Sequence, residues 1–241
     1  MASSQRARFK STQDWFNFLG AHPQIDSGTI NGLRFSVYHD IEELRKRPLI
    51  VYATRFIDFN APAVVPNFID LGDVDGFTDL INAIPISEKS IDVLVHSPGG
   101  RPDATERIVA VLRQRFSEVH FLIPHSAYSA ATMLALSGNS ITLHPSATMG
   151  PIDPQINGVP ARSIKKGFER VRDLVKNEGP ETLPAYIPLI EKYSLDLLEL
   201  CDDSEKLSKE LVYTWLKSYM LNGQPKANQI ASKTVIKNGR V

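Results

Sequence analysis

One cysteine in 241 residues, Cys201, leaves no partner for an internal disulfide, and no Cys/His group stands at the spacing of a structural zinc site. A lone cysteine fits a reducing compartment, and Cys201 reads as a buried apolar residue. Net charge is also missing. The 27 Lys and Arg offset 27 Asp and Glu, so no global field draws the chain to nucleic acid or an anionic membrane. No apolar run approaches the roughly 20 residues of a membrane-spanning helix. The opening MASSQRARFKSTQDWFNFLG lacks the apolar core of a secretory leader. These absences lead to the expectation of a soluble, cytoplasmic chain with neither nucleic acid nor membrane as partner. There is no internal repeat and no low-complexity segment.

The length suits one large α/β domain. Residues 1–47 mix charges, aromatics and turn formers, and read as an irregular segment with a short helix near Trp15 and one hairpin around "NGLRFSVYHD". From Pro48 the pattern alternates. "LIVYATRF" reads as a strand and "DGFTDLINAI" as a helix through Phe77, Leu80, Ile81 and Ile84; "SIDVLVHSP" and "DATERIVAVLRQRF" repeat the unit. "EVHFLIP", the small-residue helix "SAATMLALSG" and the strand "SITLHP" follow. Such alternation implies a largely parallel sheet with right-handed crossovers. Residues 48–160 are thus the core. "GPIDPQINGVP" is an ordered loop at its end, and residues 161–241 form a helical part of the same domain. There one helix is expected from about Ala161 to Lys176. A second is expected from about Leu183 to Leu221, broken near "CDDSEKLS", before a tail ending in a short strand or frayed.

Functional loops in an open α/β sheet gather at the carboxyl ends of the strands, where "HSPGG", "PHSAYS" and "HPSATMGPIDP" all fall. Gly99 and Gly100 let the backbone approach a ligand with its N–H groups toward it. Ser129 opens the small-residue helix, so the Gly100 and Ala130 N–H groups could take up the oxyanion of a carbonyl attacked by the Ser129 hydroxyl. Ser126 is a rival hydroxyl, and His125 is delivered toward the same cleft by the preceding strand. Asp202, Asp203 and Glu205 read as a solvated helix junction, not as a metal site.

The blocks "VHSPGGRPDATERI", "PHSAYSAATMLAL", "ITLHPSATMGPIDPQI" and "VPARSI" resemble the serine dehydrogenase proteinase family, relatives of signal peptide peptidase A within the Clp protease and crotonase superfamily. The resemblance implies a Clp protease/crotonase-like spiral of ββα units with a helical C-terminal extension, hydrolysing peptide bonds without a cofactor or metal. Matched by motif, the nucleophile falls on Ser129 and the oxyanion glycines on Gly99 and Gly100. The loop lining the substrate cleft falls on 150–155, with Gly150, Pro151 and Asp153. A homo-oligomer is implied, with a peptide or protein substrate; whether an unfoldase, adaptor or effector delivers that substrate is left open by the sequence.

The base is less clear from the motifs. The Clp-type triad would place a histidine where this chain reads "MGPID", and no histidine follows His144. Relatives of the signal peptide peptidase A type use a downstream lysine kept neutral by burial. Lys165, Lys166, Lys176 and Lys192 are candidates. Lys192 is the first choice, because it matches the lysine that begins the family's helix after "ETL". Two other readings compete: an acyl-CoA enzyme of the crotonase type, which shares the two-donor oxyanion hole, and a peptide-binding scaffold lacking a competent base.

Overall fold

The computed structural model describes residues 9–57, 67–156, 159–191 and 194–237. The chain divides into two compact units, Met1–Leu49 and Ile50–Val241.

In the first unit, α1 (Thr12–Ala21) starts at a reciprocal cap: the Ser11 hydroxyl accepts the Asp14 N–H at 3.1 Å, and the Asp14 carboxylate accepts the Ser11 N–H at 3.0 Å. The expected hairpin is instead a second helix, α2 (Ser27–Arg45), capped by Asp26 on the Thr29 N–H at 2.7 Å and closed by a left-handed Lys46. Ile30, Leu33, Val37, Ile41 and Leu44 recur at helical spacing. That periodicity and the cap outweigh the Asn31-Gly32 turn signal, whose glycine costs a helix interior only about 1 kcal/mol.

The second unit runs β1 (Leu49–Ala53), α3 (Gly72–Ala83), β2 (Ser90–His96), α4 (Pro102–Arg115), β3 (Glu118–Ile123), β4 (Ser126–Ala127), α5 (Ala130–Leu136), β5 (Ser140–Leu143) and β6 (Thr148–Met149). A hairpin of β7 (Gln155–Ile156) and β8 (Val159–Pro160) follows, then α6 (Ala161–Glu178), a 3-10 turn over Pro180–Ala185, α7 (Ile187–Ile190), α8 (Leu195–Ser218) and α9 (Ala227–Lys237). The main sheet has the order β1-β2-β3-β5, with β2 parallel to β3 and β3 parallel to β5, as the strand and helix alternation predicts. A smaller parallel pair joins β4 to β6.

Ile91, Val93 and Val95, alternate residues on one face of β2, are fully buried in the core. All seven residues of α5 are buried as well. Its Ala and Thr residues leave no bulk to hold α4 and α8 away, and both pack on it.

One expectation for the tail is corrected. "CDDSEKLS" does not break the helix: it lies inside α8, where Cys201 and Ser208 are buried one heptad apart while Asp202 and Glu205 reach across to Lys165 on α6. The chain instead breaks before Leu195, at an extended Ser194. The described part of the tail is helical, with α9 packed against α8 through a fully buried Ala231, and the last residues, 238–241, lie outside the described residues. No described helix is long and apolar enough to cross a membrane.

Candidate active site

The end of β2 and the start of α5 meet through one residue. Ser97 donates its N–H to the Ser126 carbonyl at 3.0 Å and accepts the Tyr128 N–H on its own carbonyl at 3.1 Å, so the strand leading to Ser129 is laced to the one leading to Gly99. The Ser97 hydroxyl, fully buried, accepts the Gly99 N–H at 3.2 Å. Both halves of the site hang from this side chain and backbone.

Ser129 has φ 50 and ψ −120. A side chain in that region is strained, and it occurs at the sharp strand-to-helix turns that hold a nucleophilic hydroxyl out of the backbone. The hydroxyl caps no helix N–H. Ser129→Gly should therefore be about 1 kcal/mol more stable than Ser129→Ala, because glycine relieves the torsion while both lack the hydroxyl. Urea midpoints of the two variants check this, and a glycine variant no more stable than the alanine one would mean that the turn carries no strain.

Gly99 and Gly100, at φ 98 and 152, lie against this turn. A Cβ on Gly99 would stand 2.8 Å from the Ala130 nitrogen and from the Ser129 Cβ. The Gly99 carbonyl accepts the Ile69 N–H at 2.7 Å, and the Arg101 N–H returns to the Ile69 carbonyl at 2.9 Å. In a trans peptide the N–H opposes the carbonyl. With the Gly99 carbonyl turned to Ile69, the Gly100 N–H faces the other way, and no described backbone carbonyl accepts it or the Ala130 N–H.

Ser129, Gly99 and Gly100 open on one cleft of about 780 Å³, whose wall also includes Phe68, Met133, Ile152, Asp153 and Leu207. A charged cavity of about 370 Å³ adjoins it, sharing Ile152, Asp153, Pro154 and Ser208 and lined further by Arg162, Lys165 and Lys166. Asp153 pairs with Arg162 at 3.3 Å. Lys165 pairs with Asp202 at 2.5 Å and Glu205 at 3.3 Å. Chiefly the Asp202 hydrogen bond, and then Glu205, hold its ammonium above the ordinary lysine range. That is the opposite of what a neutral base requires.

The sequence profile of one family, described as ClpP-like SDH-type serine proteinase, matches residues 14–239. The chain belongs to that family. It is 31% identical, over 69% of its length and 51% of the other's, to an uncharacterized protein of Methanocaldococcus jannaschii. The chain spans about half the length of the curated relatives it matches. Among solved structures it is similar to a mutant of the 1510-N membrane-bound stomatin-specific protease, at 26% identity and TM-score 0.35 over 45% of this chain and 58% of that one. It is also similar to the ClpP protease catalytic domain of Plasmodium falciparum, at 12% identity and TM-score 0.39 over 81% and 79%.

Within this serine proteinase family member, Ser129, Gly99, Gly100 and Asp153 share the cleft, and Ala130 is buried directly behind Ser129. His125, Gly150 and Pro151 are not on its wall. His125 turns its Nδ1 to the buried Ser126 hydroxyl at 2.6 Å, and its ring stands nearly perpendicular to that of His96, 5.2 Å between centroids. Burial, then the nearby His125, holds His96 below the ordinary histidine range. Gly150 backs onto the Tyr128 ring, where a Cβ would collide, and its N–H donates to the Ala127 carbonyl at 2.9 Å. His144 bonds the Ser146 hydroxyl at the surface. Lys176 lies in the last turn of α6, and Lys192 lies outside the described residues. Sequence reasoning missed Ser97, although "SPGG" places a small hydroxyl two residues before the first glycine. It also missed Ile69, which carries no chemical side chain to notice.

Proposed function

We propose that the chain is a serine peptidase working through an acyl-enzyme on peptide or protein segments held in the cleft. The observation that carries this reading is the strained Ser129, uncapped and facing the cleft beside the Gly99-Gly100 turn, in a chain of a serine proteinase family. The Ser129 hydroxyl attacks the scissile carbonyl and gives its proton to a lysine. The Gly100 and Ala130 N–H groups bind the resulting oxyanion. The C–N bond breaks as the lysine ammonium protonates the leaving amine. Water then attacks the acyl ester, giving one proton to the lysine, and the lysine returns a proton to Ser129 as the acid leaves. The Gly99 N–H is engaged by Ser97, so Gly99 serves by lacking a side chain.

Lys192 is the proposed base, resting on its motif position. The ion-paired Lys165 favours a base elsewhere. Lys192→Ala should lower kcat by about 10³-fold while Lys165→Ala stays within about threefold of wild type, as expected for removing a proton acceptor and an ion-paired surface cation respectively. Steady-state kinetics on a peptide panel decide this, and the reverse ranking would exchange the two roles. A fluorophosphonate probe, mapped by mass spectrometry, should label Ser129. Tight acyl-CoA binding with no labelled serine would instead favour the crotonase-type reading.

A further inference from the structure

The carboxylate of Asp73, in the first turn of α3, gathers two strings of hydrogen bonds on a single oxygen, Oδ2. One comes from the Asp70 N–H at 2.8 Å, next to Ile69, whose own N–H and carbonyl grip Gly99 and Arg101. The other comes from the Tyr52 hydroxyl at 2.9 Å. On the other side of the turn the Ser97 hydroxyl accepts the Gly99 N–H at 3.2 Å. The Gly99 peptide is therefore gripped twice, its N–H by Ser97 and its carbonyl by Ile69, and Asp73 ties the segment of Ile69 and Asp70 to Tyr52 of β1.

We propose that Asp73, Tyr52 and Ser97 are positioning residues that fix the Gly99-Gly100 turn so that the Gly100 N–H is aimed at the reacting carbonyl oxygen. The proposal rests on the peptidase reading for its catalytic effect. Helix capping alone accounts for the Asp70 N–H bond, and Asp70 Oδ1 accepting the Gly72 N–H at 2.8 Å completes that cap. It does not account for Tyr52, which comes from a different strand. Burial, followed by the Asp73 charge, pushes the Tyr52 hydroxyl well above its ordinary value, so it remains a donor. A turn held in place before the reaction costs no reorganisation when charge develops on the substrate.

The test uses the full chain and a peptide substrate. Losing one donor outright costs oxyanion holes about 10²–10³ in kcat, so misaiming one through Tyr52→Phe should cost about tenfold in kcat with KM within about twofold. Inhibition by a peptide aldehyde, whose adduct carries an oxyanion, should weaken about tenfold in step. Asp73→Ala should cost more, about 50-fold, and adding Tyr52→Phe to it should change kcat by less than about twofold, because Tyr52 acts through the Asp73 carboxylate. Asp73→Asn should restore activity to within about threefold of wild type, since one amide oxygen can accept both bonds. Additive losses, a raised KM with kcat intact, or unchanged aldehyde inhibition would overturn the proposal. A wild-type chain that neither cleaves nor labels would sink the peptidase reading alone. The anchoring is then judged by amide hydrogen exchange: in Tyr52→Phe the Ile69 amide, bonded to the Gly99 carbonyl, should exchange about tenfold faster while β3 is unaffected, and unchanged exchange refutes it.

Discussion

Ser129→Ala should reduce peptide hydrolysis to background, a loss of about 10⁴-fold or more in kcat, and abolish fluorophosphonate labelling. No neighbouring hydroxyl can take over. Ser126 is 2% exposed, lies in β4 and faces His125, away from the cleft wall. Substrate affinity should survive, because the cleft residues Phe68, Met133, Ile152 and Leu207 are untouched. Equilibrium binding of an uncleaved peptide, measured beside the rate, separates a lost nucleophile from a lost fold. Labelling that persists in the alanine variant would transfer the reaction to another residue.

Gly99→Ala should be comparably damaging for a different reason. The new methyl would collide with the Tyr128 carbonyl oxygen and press on Ser129 Cβ and the Ala130 nitrogen, each at 2.8 Å, from a backbone at φ 98 that alanine avoids. The atoms in the way are mostly main chain, so relief must come from moving the nucleophile turn itself. Steric crowding and torsional strain together should cost about 3 kcal/mol of stability. Displacing Ser129 and its neighbouring donors should cut kcat by about 10³-fold. Urea unfolding and kinetics on the same preparation check both numbers. Near-normal activity would mean that the two halves of the site are less tightly apposed.

The readable parts of this chain were those where chemistry is local. Alternating strands and helices from Pro48 onward, the glycines after β2 and the serine before α5 all announce themselves within ten residues or so. Where reading failed, two local signals competed or the partner was distant. Asn31-Gly32 argued for a turn inside what is a 19-residue helix. Asp202 and Asp203 looked like a cap, yet a buried Cys201 beside them and Lys165 across from Asp202 keep the helix running. Tyr52 and Asp73 stand 21 residues apart, and neither has a motif around it. Only the folded sheet puts them beside Ser97.

The helix that carries the nucleophile has no exposed residue. Segments buried this completely open only when the whole domain opens, whereas loop-mounted sites can fray first. The seat of the nucleophile and the core of the sheet should therefore be lost together, so that Ser129 keeps its geometry until the domain itself opens.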